Sequence, residues 1–173
     1  MNKSVREISI LGVLTALYVA LCVASWPLAY TPLQFRIAEI LIVLPFYNKK
    51  YSVAIILGTF IANLIGPYGI VDAVVGSFAS ALVCLVIILV RRKIIIAPAA
   101  AIINGIIIGA MINILMGISE PTEILAVMGS VAFFVFIVVL IGVLAFAAIE
   151  RKNPNFINML KAMDFSKRGS QKV

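Results

Sequence analysis

The feature that most constrains the fold of this chain is a succession of apolar runs, several of them long enough to cross a lipid bilayer. An α-helix of about 20 apolar residues spans the hydrocarbon core. Of the 173 residues, 64% are hydrophobic and only 12% are charged. Backbone amides in hydrocarbon need partners within the chain, so we expect the runs to be helices. The sequence therefore predicts an all-α integral membrane protein.

We predict a bundle of six transmembrane helices within a membrane domain at residues 1–150, followed by a basic cytoplasmic tail at 151–173. The first run resembles a signal sequence, but it exceeds the usual ~7–15 residues, which favours a retained helix. The tail is either solvated or forms a short helix flat on the inner leaflet. The predicted spans are Ile8–Trp26, Leu33–Tyr47, Val53–Gly66, Val71–Val90, Ile94–Gly117 and Ile124–Ile149.

The distribution of basic residues orients this bundle. With both termini in the cytoplasm, all the Lys and Arg residues except Arg36 fall on the cytoplasmic side, as the positive-inside rule requires. The net charge of +7 is therefore explained by membrane orientation, and no nucleic-acid partner is expected. The cytoplasmic set is Lys3, Arg6, Lys49, Lys50, Arg91, Arg92, Lys93, Arg151, Lys152, Lys161, Lys167, Arg168 and Lys172.

Charged residues in the outer half of the bundle are the first candidates for a binding site. Charge at membrane depth is costly and usually marks a binding site or a transport route. Arg36 and Glu39 are three apart, so on a helix they either pair with each other or bind a ligand. Asp72 is in line with Gly76 and Ser80, so its carboxylate is expected along a helix seam.

Glu120, Asn63 and Asn104 are further candidates for ligand contacts. Glu120 precedes Pro121, although this arrangement is also typical of an ordinary helix start. Asn63 lies near the outer end of the third span and Asn104 near mid-membrane in the fifth. Asn113 points to the opposite side of that helix and is expected to bond helices together. An acidic site with amides suits a planar ligand that donates hydrogen bonds.

Several classes of function are excluded by residues that the chain lacks. It has no histidine, which removes the commonest zinc ligand and the Ser-His-Asp triad, so we expect no metal, no cofactor and no catalytic activity. It has no Gly-x-x-x-x-Gly-Lys-Ser/Thr motif to bind nucleotide phosphates. Cys22 and Cys84 are predicted at different depths and unbridged. A binding subunit with a separate motor fits these absences.

Two segments resemble the queuosine-precursor transporter (QueT) family. They are Gln34-Phe-Arg-Ile-Ala-Glu39 followed by Leu44-Pro45, and Ala62-Asn-Leu-Ile-Gly-Pro-Tyr-Gly-Ile-Val-Asp72 followed by Gly76. The resemblance implies a substrate-binding S component of an energy-coupling-factor importer in a bacterial cell membrane. Such a subunit captures a 7-deazaguanine (preQ0, preQ1 or queuine) outside the cell. It then tilts in the membrane together with a coupling subunit and two cytoplasmic ATPases.

Within that resemblance, small residues on the first helix acquire an expected role. Gly12, Ala16 and Ala20 form a stripe that permits close helix contact, either within the bundle or with another protein. The family implies contact with the coupling subunit. Two alternatives stay open: an S component for another small vitamin, and a structural or assembly subunit whose charges only hold helices together. The sequence does not decide which precursor is carried, or whether the motor is shared.

Overall fold

The computed structural model describes residues 3–29 and 34–163, which form helices and connecting turns without a β-strand. The all-α prediction is therefore confirmed for the described residues. The helices are α1 (Lys3–Ala24), α2 (Trp26–Ala29), a 3₁₀ helix (Ile37–Val43), α3 (Leu44–Tyr47), α4 (Tyr51–Ile65), α5 (Gly69–Val90), α6 (Lys93–Met116), α7 (Pro121–Lys152) and α8 (Pro154–Ala162).

Four of these helices are long and apolar enough to cross a membrane. They contain the segments Val5–Ala24, Gly69–Val90, Lys93–Met116 and Pro121–Lys152. The second and third predicted spans correspond to shorter apolar segments, Ile37–Tyr47 and Tyr51–Ile65. The structure is thus a membrane-type helical bundle, and the count of six spans stays a prediction.

The second predicted span is not a continuous α-helix. Its first residue, Leu33, lies outside the described residues, and the backbone at 34–36 has no helical structure. The chain then forms the 3₁₀ helix and a single α-turn, α3. Two features disfavour an α-helix here: the β-branched residues of Ile37–Val43 lose side-chain freedom in one, and Pro45 has no backbone N–H. The expectation that Arg36 and Glu39 share an α-helical face is therefore wrong.

Small residues bring neighbouring helices into close contact. A Cβ on Gly109 would lie 2.8 Å from Met128 Cα, and one on Gly105 would lie 2.8 Å from Ala132 Cβ. These glycines therefore form the seam between α6 and α7. On α4, Gly58 leaves room for the Tyr18 side chain of α1. The predicted free cysteines are confirmed, because Cys22 and Cys84 are both buried and unbridged.

The basic turns of the bundle meet at one end. Lys50 of the α3–α4 turn pairs with Glu7 of α1, and Lys93 at the start of α6 pairs with Glu150 near the end of α7. This grouping agrees with the side predicted to face the cytoplasm. Arg36 lies at the other end of the bundle, beside the last turn of α4, where it donates to Asn63.

Helix α8 packs against this basic end. Its side chains Ile157 and Leu160 are buried, and so is Met163 directly after it. Tyr51 donates from its hydroxyl to the carbonyl oxygen of Leu160 (3.0 Å). One face of this helix therefore packs on the bundle, and its position relative to solvent and the inner leaflet stays a prediction. The remaining predicted tail, including Lys167, Arg168 and Lys172, lies outside the described residues.

Candidate ligand-binding site

A small polar cavity lies inside the half of the bundle that faces away from the basic turns. Five helical elements surround it, namely the 3₁₀ helix, α4, α5, α6 and α7. The space is about large enough for one water molecule, so a larger ligand has to displace side chains. Its lining residues are Gln34, Arg36, Glu39, Thr59, Gly76, Ser80, Asn104, Ile108, Val131 and Val135.

One wall of the cavity is a buried arginine held by α4 and α5. Arg36 donates from Nη1 to Asn63 Oδ1 (2.6 Å) and from Nη2 to Asp72 Oδ2 (3.2 Å). Asn63 in turn donates from Nδ2 to the Asp72 carbonyl (2.9 Å) and to Asp72 Oδ1 (3.2 Å). Asn63 and Asp72 are completely buried, with exposures of 0%. A buried charge with such partners is compensated, which explains how the guanidinium is tolerated at this depth.

Gly76 makes this arrangement possible. A Cβ at this position would overlap Asn63 Nδ2, which points at Asp72. Helices α4 and α5 therefore approach each other closely at the level of Arg36 and Asp72. Because Asp72 and Gly76 are one helical turn apart, the carboxylate and the gap for Asn63 lie on the same side of α5. Asp72 thus faces a helix seam, as its spacing predicts.

Glu39 occupies a different position from Asp72 and has a different set of partners. Its Oε1 atom accepts a hydrogen bond from the hydroxyl of Tyr18 on α1 (2.8 Å). Its Oε2 atom is buried and has no hydrogen-bond partner among the described residues. Glu39 and Arg36 do not form an ion pair within the described structure, so the predicted alternative of a mutual pair is wrong. The carboxylate therefore keeps an unused acceptor next to the cavity.

Gln34 is a second lining residue with an unused polar atom. Its side chain is only 3% exposed, and its Nε2 donor has no partner in the part of the chain that is described. Its backbone has φ +52°, a left-handed conformation that is uncommon for residues other than glycine. Such conformations concentrate at functional sites. Gln34 thus presents a buried donor to the cavity that Glu39 borders with an acceptor.

Uncharged polar groups complete the cavity wall. Thr59 on α4 and Ser80 on α5 share a hydrogen bond between their hydroxyls (3.1 Å). Asn104 on α6 is buried and donates to the carbonyl oxygen of Ala100 (2.9 Å). Asn113 lies away from the cavity and donates to the Ile124 carbonyl of α7 (3.2 Å), which is the helix-bonding role predicted for it.

The structure brings some of the predicted site residues together and separates others. Arg36, Glu39 and Asn104 line the cavity. Asn63 and Asp72 lie behind Arg36 and do not border it. Glu120 is exposed at the start of α7, away from the lining residues. Sequence reasoning also missed three residues: Gln34, Tyr18 and Thr59. They are uncharged, and their signal was a polar group placed within or beside an apolar run; Gln34 also begins the first segment that resembles the family.

Comparison with known proteins gives a family match over most of the chain. The sequence model of the family described as QueT transporter matches residues 8–151. Over 83 residues the chain is 35% identical to the Queuosine precursor transporter QueT of Lactococcus lactis subsp. cremoris (strain MG1363). That alignment covers 46% of this chain and 48% of the relative, so it spans about half the relative's length. No solved structure matches the chain.

Proposed function

The chain belongs to the QueT transporter family, and we propose that it is a membrane subunit that captures a queuosine precursor from the outer side. The substrate class is a 7-deazaguanine such as preQ0, preQ1 or queuine. The observation that carries this proposal is the buried carboxylate of Glu39, a residue that lines the cavity and whose Oε2 atom has no partner among the described residues. An isolated buried acceptor is costly, and a ligand with N–H donors would satisfy it.

The site suits the chemistry of a guanine-like base. The base offers N–H donors on one edge beside a carbonyl acceptor, and the cavity wall offers both acceptors and donors. Arg36, Gln34 and Asn104 border the cavity as donors, and Glu39 borders it as an acceptor. Since the cavity holds only about one water molecule, the proposal requires side chains to move apart when the ligand enters.

The proposal includes the architecture and partners of an energy-coupling-factor importer. The short segments Ile37–Tyr47 and Tyr51–Ile65 would complete six spans with the four long helices, in a bacterial plasma membrane. The chain would act without catalysis of its own, and a coupling subunit with two cytoplasmic ATPases would supply the energy. The loaded subunit would tilt in the membrane to deliver its ligand inward.

The small-residue stripe of α1 supports contact with a coupling subunit. Gly12, Ala16 and Ala20 are all exposed in this chain, and a Cβ on Gly12 would meet no atom within 4 Å. Ala16→Leu should therefore abolish copurification with the coupling subunit and leave ligand affinity unchanged. Loss of both properties would instead show that the stripe packs inside the folded chain.

A structural or assembly subunit is the main alternative of a different class. It would use the buried charges only to hold helices together, and the bonds of Arg36 to Asn63 and Asp72 do this. It does not explain why Glu39 Oε2 and Gln34 Nε2 are buried without partners in the described chain. An S component for a different vitamin is the other alternative, and it requires a ligand that satisfies the same two atoms.

Calorimetry on the purified protein in detergent tests the proposal. Saturable binding of a 7-deazaguanine, without binding of thiamin or riboflavin, is the expected result. Glu39→Gln should weaken binding by roughly tenfold or more, because an amide nitrogen can replace the free acceptor. Glu123→Gln makes the same chemical change at an exposed position of α7 and should have no effect. If the folded protein binds no deazapurine, the proposed function is wrong.

Glu120 stays a predicted ligand contact, and the same assay tests it. Its exposed position at the start of α7 separates it from the cavity. A weaker affinity in Glu120→Gln, with Glu123→Gln unchanged, would place the ligand at the mouth of the bundle as well as in the cavity.

A further inference from the structure

Two buried polar atoms beside the cavity have no partner among the described residues and are of opposite hydrogen-bonding type. Gln34 Nε2 is a donor and Glu39 Oε2 is an acceptor. Both side chains are more than nine-tenths buried, with exposures of 3% and 4%. Buried polar groups in folded proteins are almost always hydrogen-bonded, so this donor and this acceptor beside one cavity are expected to bind a polar molecule from outside the described chain.

We infer that Gln34 and Glu39 together read one edge of the ligand and set its specificity. Gln34 donates to the ligand's ring carbonyl, and Glu39 accepts from the N–H groups beside that carbonyl. This assignment rests on the proposed function, because it takes the ligand to be a base with a carbonyl next to N–H donors. It requires no metal or covalent step.

The surrounding contacts explain why these two residues have this role and others do not. The Tyr18 hydroxyl donates to Glu39 Oε1, which leaves Oε2 as the available acceptor. Asp72 already accepts from Arg36 and Asn63 through both carboxylate oxygens, and it lies outside the cavity wall. Asp72 is therefore a positioning residue for Arg36, and the carboxylate that reads the ligand is Glu39.

The backbone at Gln34 supports the same assignment. With φ +52° it adopts a conformation that few residues other than glycine take, three residues before the start of the 3₁₀ helix. A strained conformation persists only where its surroundings stabilise it. Here it accompanies an amide that is buried at the cavity wall and makes no bond through Nε2 within the described chain.

Three ligands and two variants separate the roles of these residues. The ligands are 7-deazaguanine, its 6-thio analogue, which keeps the ring N–H but has a weaker acceptor, and 7-deazahypoxanthine, which lacks the 2-amino donor. Wild type should bind the last two about tenfold more weakly than the first, since sulfur weakens one buried hydrogen bond and the missing amino group removes another. Gln34→Met keeps the side-chain length and removes the donor. Glu39→Gln removes the free acceptor.

The expected result is a selective loss of discrimination. Gln34→Met should bind 7-deazaguanine and the 6-thio analogue with nearly equal affinity, while still preferring both over 7-deazahypoxanthine. Glu39→Gln should lose the preference for the 2-amino group and keep the preference for oxygen over sulfur. A merely structural role would weaken all three ligands by the same factor.

The outcomes also separate this inference from the proposed function. If wild type binds 7-deazaguanine and both variants keep its full pattern of preferences, the two residues do not read the ligand and the inference fails alone. If folded wild type binds none of the three ligands, the proposed function fails first. A uniform loss in both variants would likewise overturn the inference, because it would assign them to structure.

Discussion

Adding one methyl group at Gly76 should disrupt the charge cluster behind the cavity. A Cβ there would overlap Asn63 Nδ2. The end of an asparagine side chain normally moves at little cost, but this one is held by hydrogen bonds to both the carbonyl and the carboxylate of Asp72. Its Oδ1 also accepts from Arg36. Gly76→Ala therefore forces Asn63 out of a position that three hydrogen bonds define.

The expected magnitude follows from those three bonds. Hydrogen bonds between membrane helices contribute about 0.6 kcal/mol each on average, and bonds to charged groups contribute more, roughly 1.5–3 kcal/mol. Their loss should lower the free energy of unfolding by roughly 2–4 kcal/mol, since some bonds will reform with altered geometry. Replacing glycine by alanine in a helix returns about 1 kcal/mol, so the net loss is roughly 1–3 kcal/mol.

Gly129→Ala is the matched control, because it makes the same change within α7 where a Cβ would meet no atom within 4 Å. The stabilisation from replacing glycine by alanine in a helix is then common to both variants. The difference between their free energies of unfolding therefore reports the displacement of Asn63. We expect Gly129→Ala to be as stable as wild type or slightly more stable in thermal unfolding in detergent. Gly76→Ala should unfold at a lower temperature and bind ligand more weakly, because Arg36 loses its orientation. Equal stability and equal affinity of the two variants would refute the reasoning.

Three further substitutions test other contacts of the bundle. Tyr18→Phe leaves Glu39 Oε1 without its donor and should destabilise the protein by about 1–3 kcal/mol and weaken ligand binding, measured by thermal unfolding and calorimetry. Gly109→Ala places a Cβ 2.8 Å from the Met128 backbone and should cost about 1–3 kcal/mol in thermal unfolding; unchanged stability would contradict the close α6–α7 seam. Ile157→Ala should speed amide hydrogen exchange throughout α8, because it removes buried apolar contact; exchange unchanged from wild type would mean that α8 is held by other contacts.

The sequence predicted the helices well because their signal is local. An apolar run of sufficient length has to be helical in hydrocarbon, and each run shows this independently of the others. The segment Ile37–Val43 was the exception, since it is apolar like the rest but forms a 3₁₀ helix. Its geometry depends on a proline that follows it and on packing against α1 and α7. A composition pattern does not contain that information.

The site was predicted less completely because its partners are distant in the sequence. The spacing of Arg36 and Glu39 suggested a local pair, yet Arg36 bonds to Asp72, 36 positions away. Arg36, Glu39 and Asp72 were identified as candidates because they are charged residues in an apolar sequence. Gln34 carries no charge, and only the fold shows that its amide is buried at the same cavity.

The number of hydrogen-bond partners decides which buried carboxylate is available to a ligand. Arg36 contributes one positive formal charge and Asp72 and Glu39 one negative formal charge each, so the cluster has a formal net charge of −1. Asp72 neutralises Arg36 through a direct ion pair, which assigns the remaining charge to Glu39. A lone buried carboxylate is unfavourable unless donors surround it, and here one donor comes from Tyr18. A ligand that brings further N–H donors, or a positive charge, would satisfy the remaining acceptor of Glu39. A ligand without them would leave this buried carboxylate without compensation for its lost hydration.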